Sequence, residues 1–220
     1  MFLSWLPGHA ATAELATLRV GVEGAYPPFS SLGTDGKLKG FDIDIAQAMC
    51  VRLNVQCVYV QTEFDAMIPA LQAKKFDAIV ASMSITPERL KAVDFSDKYY
   101  NTPTRFVVRS DSRIEVSPEG LKGRKVGVQR TTIQDRFATA TFKASEIVRY
   151  AKQDEVFRGP VYDDPAFFGT GAGIAVRKGD TALRDKINAA LAAMRADGSY
   201  KKLNDRYFDF DVYGAEQKKR

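Results

Sequence analysis

The chain has 220 residues, 45% of them hydrophobic, which is enough for one large domain or two smaller lobes with separate cores. Its net charge is +5, but the basic residues are spread along the chain except at 218–220. A nucleic-acid-binding groove typically has clustered lysines and arginines with aromatics between them, so we expect no nucleic-acid partner. With one histidine and two cysteines, we expect no Cys/His metal site and no cofactor.

The N-terminal residues 1–13 have a short apolar stretch followed by Ala11-Thr12-Ala13. This small-residue pattern is typical of a signal-peptide cleavage site, although residues 1–13 contain no lysine or arginine. We therefore expect residues 1–13 to be the remnant of a secretory signal, with a disordered extension as the alternative. The sequence has no apolar run of about 18 residues, so we expect no transmembrane helix.

The two cysteines, Cys50 and Cys57, are close together in the sequence. The first lies near the end of a predicted helix and the second in the strand that follows. A disulfide closing this short loop suits an oxidising compartment, and two buried thiols suit a reducing one.

The first part of the chain alternates strands and helices, with predicted strands Leu18–Val22, Gln56–Val60 and Phe76–Ser82 and predicted helices Phe41–Leu53 and Asp65–Lys74. Such a βαβαβ order is typical of an open α/β sheet with parallel strands. Ligands of these sheets bind beyond the carboxyl ends of the strands. The sequence therefore predicts one rim formed by the loop at Glu23–Tyr26, the loop at Phe64 and the turn at Ser82–Arg89.

The second part contains an internal repeat, because Lys125-Val-Gly-Val-Gln129 resembles Arg19-Val-Gly-Val22 and is again followed by a loop and a helix. That helix is predicted over Gln134–Phe142, and we expect another helix to begin at Asp154. The remaining predictions are an extended segment Arg105–Arg109, strands Glu146–Tyr150 and Ala172–Val176, a helix from Asp180 to Gly198, and a last helix Tyr200–Tyr207.

The stretch from Phe76 to Arg89 carries the clearest chemistry. An apolar run is followed by Ser82 and Ser84, then by Thr86-Pro-Glu, which has the features of a helix start, and then by Arg89. A strand end that leads into a helix N-terminus, with hydroxyls and an arginine in the turn, can bind a carboxylate. The alternative is a helix cap with a solvated Arg89.

Nine short motifs, taken in order, resemble those of the periplasmic amino-acid-binding proteins of ABC importers, especially the lysine/arginine/ornithine-, histidine- and opine-binding types. The resemblance covers Leu18 to Gly214 and rests on Tyr26-Pro-Pro-Phe29, Gly40-Phe-Asp-Ile-Asp44, Phe64-Asp-Ala-Met-Ile-Pro69, Lys75-Phe-Asp-Ala78, Ser84-Ile-Thr-Pro-Glu-Arg89, Phe95-Ser-Asp97, Val126-Gly-Val-Gln129, Asp197-Gly-Ser-Tyr200 and Tyr207-Phe-Asp209.

The resemblance implies the α/β, two-lobed periplasmic binding protein type II fold, with a hinge between the lobes. It implies lobe 1 at residues 14–102 and 172–214, lobe 2 at 103–171, and a tail at 215–220. It also implies a periplasmic location, ABC importer membrane subunits as partners, and no enzymatic activity. The implied ligand is a free cationic amino acid (arginine, lysine, ornithine or histidine) or an opine. In the cationic-amino-acid subgroup, Cys50 and Cys57 match a disulfide.

The resemblance also implies roles for individual residues. Arg89 should hold the ligand carboxylate, Glu23 should meet a cationic side-chain tip, and two aromatics should sandwich the ligand side chain. The full set of implied ligand-binding residues is Glu23, Tyr26, Phe64, Ala81, Ser82, Ser84, Arg89, Thr132 and Ile133.

The sequence departs from the family pattern in two places. Thr131-Thr132-Ile133 stands where the family usually has Gly-(Ser/Thr)-Thr, so Ile133 offers only its backbone N–H and Thr131 replaces a glycine that favours an unusual backbone angle. After Asp154 the chain lacks a strand, an acidic residue that binds the ligand ammonium, a helix and a further strand, which is roughly one βα unit.

The expected loss leaves two alternatives to an importer-associated binding protein. One is a binding-impaired truncated paralogue, or a chain that completes its second lobe by homo-oligomerisation through exposed strand edges. The other is a periplasmic dehydratase-like enzyme, which shares the fold. The absence of histidine after His9 and of an obvious acid/base pair argues against the enzyme.

Overall fold

The structure is a computed structural model that describes residues 16–101, 104–108, 111–152, 161–162 and 169–214. The described residues form twelve strands: β1 Thr17–Val22, β2 Ala25–Tyr26, β3 Ser30–Leu32, β4 Leu38–Lys39, β5 Gln56–Gln61, β6 Ala78–Ile79, β7 Val93–Tyr100, β8 Thr104–Arg105, β9 Lys125–Gln129, β10 Glu146–Tyr150, β11 Val161–Tyr162 and β12 Ala172–Arg177. The helices in these ranges are α1 Phe41–Leu53, α2 Met67–Gln72, α3 Arg89–Ala92, α4 Ile133–Thr141, α5 Thr181–Ala196 and α6 Ser199–Tyr207.

The first lobe is built on a five-stranded sheet in the order β5-β1-β6-β12-β7. The strands β5, β1 and β6 are parallel, as the βαβαβ pattern predicted, and β12 is antiparallel to both of its neighbours. The strand predicted over Ala172–Val176 is therefore present, as β12 of this sheet. Helices cover both faces of the sheet, and two apolar clusters pack against it, one with α1, α5 and α6 and the other with α2.

Helices α1 and α5 show why the spacing of apolar residues predicts the packed face. Ile45 and Met49 of α1 and Ile187 and Met194 of α5 are fully buried, which fits their spacing along each helix. Helix α5 begins where expected, because the Asp180 side chain accepts a hydrogen bond from the Leu183 N–H at 3.3 Å.

The second lobe has a smaller core around a parallel pair of strands, β9 and β10. The repeat of the Val-Gly-Val sequence is a structural repeat as well, because β1 and β9 are each followed by a loop at the cleft and pair in parallel with a later strand. The short strands β8 and β11 pair antiparallel.

Several predicted boundaries differ from the structure. The segment Glu23–Phe29 was expected as a loop but contains β2, which joins β3 and β4 in a small antiparallel sheet. The strand expected over Phe76–Ser82 is regular only at Ala78–Ile79, since Ser82 has a left-handed φ of 55°. The helix expected from Asp65 begins instead as a 3-10 turn at Phe64–Ala66.

The helix start expected at Thr86 lies three residues later. Thr86 does not begin a helix, but its hydroxyl accepts a hydrogen bond from the Arg89 N–H, where α3 starts.

Cys50 and Cys57 form a disulfide. The predictions for residues 1–13, the helix at Asp154 and residues 215–220 lie outside the described residues, and the limits proposed for the two lobes stay predictions. In the described part of the chain, no helix is long and apolar enough to cross a membrane.

Candidate functional site

A small cavity lies between the two lobes, at the carboxyl ends of β1 and β6. Its volume is about 60 Å³. The cavity brings together all nine residues expected to bind ligand, with two glutamines in addition: Glu23, Tyr26, Phe64, Ala81, Ser82, Ser84, Arg89, Thr132, Ile133, Gln129 and Gln134. A larger cavity of about 780 Å³ lies beside β9 in the second lobe, but its wall includes neither Arg89 nor Glu23.

Arg89 places its guanidinium against the first-lobe wall of the cavity. Its Nη1 donates to the Ser84 carbonyl at 3.0 Å, and its Cζ lies 5.4 Å from the centre of the Phe64 ring. Burial lowers the pKa of Arg89 to about 10, so the side chain stays charged at neutral pH. Among the described residues, no carboxylate lies within ion-pair distance of Arg89, so a ligand carboxylate would be its counter-charge.

The N-terminus of α4 faces Arg89 across the cavity. Thr132 is the N-cap: its hydroxyl accepts from the Asp135 N–H at 3.1 Å and donates to the Gln129 carbonyl at 2.7 Å. The first N–H groups of a helix have no partner within that helix, and they carry a partial positive charge. Together with Arg89 they place positive charge on two sides of the cavity.

The Thr131 backbone has a φ of 58°, which is left-handed. The sequence departure at this position therefore keeps the backbone angle that a glycine would favour. The angle is held by the Thr131 N–H, which donates to the Asp135 carboxylate at 3.2 Å.

Ser82 is held by a buried acid beneath the cavity. Its hydroxyl donates to Asp42 at 2.8 Å, and its N–H donates to the Tyr99 hydroxyl at 3.1 Å. The Tyr99 hydroxyl in turn donates to Asp42 at 2.9 Å. Asp42 is fully buried, and burial raises the pKa of its carboxyl to about 7. In this structure the Ser82 hydroxyl is thus engaged by Asp42 while Ser82 remains part of the cavity wall.

Two aromatic residues contribute faces to the cavity wall. Tyr26 stacks on Phe29 with ring centres 5.1 Å apart, and Phe29 stacks in turn on Tyr100 at 4.9 Å. Burial, with the nearby charges of Asp42 and Glu23, raises the pKa of Tyr26 to about 12, so its hydroxyl is protonated at neutral pH. The rings of Tyr26 and Phe64 therefore form fixed apolar walls on the first-lobe side.

Glu23 is a buried acid on the cavity wall, at the end of β1. Only 7% of the residue is exposed, and its carboxylate accepts a hydrogen bond from Gln129 Nε2 at 2.5 Å. The same Gln129 nitrogen donates to the Ala151 carbonyl at 3.1 Å. The cavity therefore has a positive wall at Arg89 and α4, and a negative wall at Glu23.

Ion pairs hold the two lobes together beside the cavity. Arg130 of the second lobe contacts Glu63 and Asp65 of the first, each at 2.6 Å. Arg136 on α4 pairs with Glu88 next to Arg89. These ion pairs and the hydrogen bond from Gln129 to Glu23 show that the two lobes are closed on each other.

Sequence reasoning did not identify Gln129, Gln134, Asp42 or the two interlobe arginines as part of the site. Gln129 had a usable signal, because it follows Val-Gly-Val at the place that Glu23 occupies in the first repeat. Asp42 had a weaker one, as an acid among apolar residues at the start of α1. Arg130 and Arg136 had none, since their partners come from distant parts of the sequence.

The sequence matches the family of bacterial extracellular solute-binding proteins, family 3, over residues 18–210. It is 44% identical to the L-arginine-binding protein of Pseudomonas aeruginosa over 245 residues, covering 96% of this chain and 93% of the relative. It is 40% identical to the histidine-binding periplasmic protein of Escherichia coli K12, covering 93% of this chain and 94% of the relative.

Solved structures show the same relationship. A Salmonella typhimurium periplasmic binding protein described as highly specific for arginine superposes with a TM-score of 0.81 at 32% identity, covering 88% of this chain and 99% of the other. Since the family match spans most of the chain and the structure has the same two-lobed architecture, the chain belongs to the bacterial extracellular solute-binding proteins of family 3.

Proposed function

We propose that this chain binds a free amino acid in the periplasm and delivers it to the membrane subunits of an ABC importer. The observation that supports this function is the distribution of charge around the cavity. Arg89 and the N-terminus of α4 offer positive charge from the two lobes, and the buried carboxylate of Glu23 offers negative charge elsewhere on the wall. This arrangement matches a ligand that has a carboxylate at one end and a cation at the other. Arginine, lysine, ornithine, histidine and opines are the candidates.

The proposed roles follow the chemistry of each wall. The guanidinium of Arg89 and the backbone N–H groups at Thr132 and Ile133 hold the ligand carboxylate. The hydroxyl of Ser84 and the Ala81 backbone bind around the carboxylate and the ammonium. The Ser82 backbone binds the ligand at the same place. The Ser82 hydroxyl also binds it once the hydrogen bond from this hydroxyl to Asp42 is broken.

The other end of the ligand meets the aromatic and acidic walls. Tyr26 and Phe64 flank an aliphatic or guanidinium stem, and Glu23 accepts hydrogen bonds from a cationic tip. In the closed cavity the Gln129 side chain donates a hydrogen bond to Glu23, and the cationic tip of the ligand replaces this donor. Because sites for small molecules are usually larger than about 300 Å³, a cavity of about 60 Å³ requires the lobes to separate before ligand enters.

We also propose that the second lobe is shortened by roughly one βα unit. The match to the arginine-binding relative spans 245 residues, more than the 220 of this chain, so the relative has residues without a counterpart here. The small β9–β10 sheet supports a loss in the second lobe. The ammonium site would then rest on the first lobe alone.

A binding role is favoured over catalysis and over loss of activity. The two curated relatives described above are named as binding proteins, and the only histidine of this chain is His9. The described residues also keep every first-lobe residue expected to contact ligand within one cavity. The name of the Escherichia coli relative, a histidine-binding periplasmic protein, and the small-residue pattern at Ala11–Ala13 support a periplasmic location.

Isothermal titration calorimetry with arginine, lysine, ornithine, histidine and octopine tests the proposal. The native chain should bind at least one of them with micromolar or tighter affinity. Arg89→Ala should weaken that binding at least about 100-fold, because the charged fork is lost. Lys91→Ala, an exposed charge removed from the same helix, should change it little. No heat with any of the five would contradict the proposal.

A further inference from the structure

Asp42 is a buried acid behind the wall of the amino-acid cavity. It lies at the start of α1 and is fully buried. Among the described residues, no lysine or arginine forms an ion pair with it, and none contributes to its pKa. A buried carboxylate is costly unless hydrogen bonds or an opposite charge compensate it. Asp42 is therefore a candidate counter-charge for a cation that the ligand brings.

Both carboxylate oxygens of Asp42 accept hydrogen bonds. Oδ2 accepts from the Ser82 hydroxyl at 2.8 Å, and Oδ1 accepts from the Tyr99 hydroxyl at 2.9 Å. The Ser82 N–H donates to the Tyr99 oxygen at 3.1 Å and closes a ring of three residues. Two donors to one carboxyl favour its ionised form.

Ser82 connects this ring to the cavity. It lines the cavity and is partly exposed, whereas Asp42 lies behind it. The φ of Ser82 is 55°, a left-handed angle that a residue with a side chain rarely adopts. Such angles persist where the surrounding structure determines them, and they are concentrated at ligand sites. The ring through Asp42 and Tyr99 thus fixes the direction of the Ser82 hydroxyl.

The Ser82 hydroxyl can contact a ligand in two ways. As a donor it must first break its hydrogen bond to Asp42. As an acceptor it keeps that bond, because a hydroxyl oxygen has two lone pairs besides the hydrogen that it donates. The second way suits an ammonium group, which only donates. An ionised Asp42 therefore makes Ser82 an acceptor toward the cavity.

A free amino acid brings an ammonium group close to Ser82 once its carboxylate is bound. The two charged groups are attached to the same carbon atom, so a carboxylate at Arg89 puts the ammonium near the turn that contains Ser82 and Ser84. Across the Ser82 hydroxyl, the ammonium would lie about 5 Å from the carboxylate of Asp42. An opposite charge at that distance favours the ionised form of a carboxyl group.

We propose that Asp42 is the counter-charge of the ligand ammonium, acts as a positioning residue through Ser82, and releases a proton when an amino acid binds. This inference rests on the proposed function. The proton of the carboxyl group leaves to the solvent, the resulting carboxylate accepts from Ser82, and the Ser82 oxygen accepts from the ammonium. A ligand that has a carboxylate but no ammonium leaves the protonation of Asp42 unchanged.

The other titratable groups around Asp42 do not account for such a release. Burial raises the pKa of the four nearby tyrosines, so their hydroxyls stay protonated at neutral pH: Tyr26 of β2, Tyr99 and Tyr100 of β7, and Tyr200 of α6. Glu23, at the end of β1, is the other acid of the described chain that acts on Asp42, and it faces the cationic tip of the ligand instead. Burial raises the pKa of Asp42 to about 7, so its carboxyl is partly protonated near neutral pH.

Isothermal titration calorimetry of the native chain with L-arginine, in two buffers of different ionisation enthalpy, measures the proton release. At about pH 6.5 we expect the release of about half a proton per ligand, and binding should tighten about five- to tenfold between about pH 5.5 and 7.5. The probe δ-guanidinovalerate is arginine without its ammonium group, and it should release no proton. If the chain binds lysine better, lysine and ε-aminocaproate form the matched pair of ligands.

Asp42→Asn should abolish the proton release and weaken arginine binding about tenfold at about pH 7.5, because the amide carries no charge. Asp44→Asn, the same change two residues further along α1, should alter neither quantity, since Asp44 pairs with Tyr207 and Arg206 away from the cavity. Circular dichroism checks that both variants fold. The comparison of the two ligands on the native chain needs no variant.

Two results would overturn the inference and leave the proposed function intact. One is arginine binding without proton release between about pH 5.5 and 7.5, and the other is a release that persists in Asp42→Asn. Equal release with δ-guanidinovalerate would also overturn it, because the ammonium would then not be the cause. No binding of arginine, lysine, ornithine or histidine would overturn the proposed function and this inference together.

Discussion

Glu23 and Gln129 occupy matching places in the two repeated strands, and their side chains meet across the cavity at 2.5 Å. Each residue directly follows a Val-Gly-Val sequence, so the repeat delivers an acid from one lobe and an amide from the other to the same point. In the closed lobes the buried carboxylate thus accepts a hydrogen bond from a neutral donor. A ligand cation that replaces this donor would form the stronger, charge-assisted hydrogen bond.

Removing the Glu23 charge should therefore change ligand preference. In Glu23→Gln we expect binding of arginine and lysine to weaken at least about tenfold, because a hydrogen bond between charged groups is lost. Binding of glutamine, which has no cationic tip, should not weaken. Calorimetry with the three amino acids measures both effects, and Glu119→Gln, the same change at an exposed position, is the control. Equal losses for all three ligands would contradict the role given to Glu23.

The contacts of Arg130 with Glu63 and Asp65 should favour the closed lobes. In Arg130→Ala we expect a larger radius of gyration without ligand and about two- to tenfold weaker ligand binding, because each partly exposed ion pair contributes little. Small-angle scattering and calorimetry measure these effects, which should shrink as salt screens the native pairs. Arg149→Ala breaks an ion pair within the second lobe and serves as the control. An unchanged radius of gyration in Arg130→Ala would show that these contacts do not hold the lobes closed.

Asp42 should make stability depend on pH. Burial raises the pKa of its carboxyl from 3.8 to about 7, so the unfolded chain ionises at lower pH than the folded one. The contribution of Asp42 to the free energy of unfolding is therefore fully present below pH 4. It is lost as the pH rises toward and through 7. Relative to Asp42→Asn, the native chain should thus lose up to roughly 4 kcal/mol between pH 4 and 8.

Urea unfolding of the native chain and Asp42→Asn at several pH values measures that difference. The asparagine can accept from Tyr99 and donate to Ser82, so the variant keeps partners for both neighbours of Asp42. Parallel stability curves for the two proteins across this range would show that Asp42 ionises normally when folded.

Thr131 should carry a local strain. A residue with a side chain at a φ of 58° costs about 1–2 kcal/mol compared with glycine, and glycine loses more entropy on folding. We expect Thr131→Gly to stabilise the chain by about 1 kcal/mol, as measured by urea unfolding. Thr131→Ala keeps the Cβ and the strained angle, so it should not stabilise the chain. Destabilisation in Thr131→Gly would mean that the hydroxyl contact with the Arg130 carbonyl, at 2.7 Å, outweighs the strain.

The sequence was most informative where local chemistry and periodicity agree. Alternating strands and helices predicted the parallel β5-β1-β6 core, and the apolar spacing of α5 predicted its buried face. All nine candidate site residues were gathered into one cavity because the segments that carry them follow the carboxyl ends of β1, β5, β6 and β9. Their roles in binding remain proposals.

The sequence was least informative about contacts between distant segments. The engagement of Ser82 by Asp42 joins residues 40 positions apart, and the pair of Gln129 with Glu23 spans 106 positions. The left-handed angle at Ser82, which shortens β6, gives no signal in a stretch of apolar residues and serines. Such features depend on how distant segments pack against each other, which local propensity does not determine.

The most direct test of the central claim is a crystal structure of the native chain grown with arginine. We expect electron density for the ligand carboxylate between the Arg89 guanidinium and the N-terminus of α4, with the cationic tip at Glu23 and the Gln129 amide displaced. Density for arginine elsewhere, or an empty cavity at saturating arginine, would contradict the account.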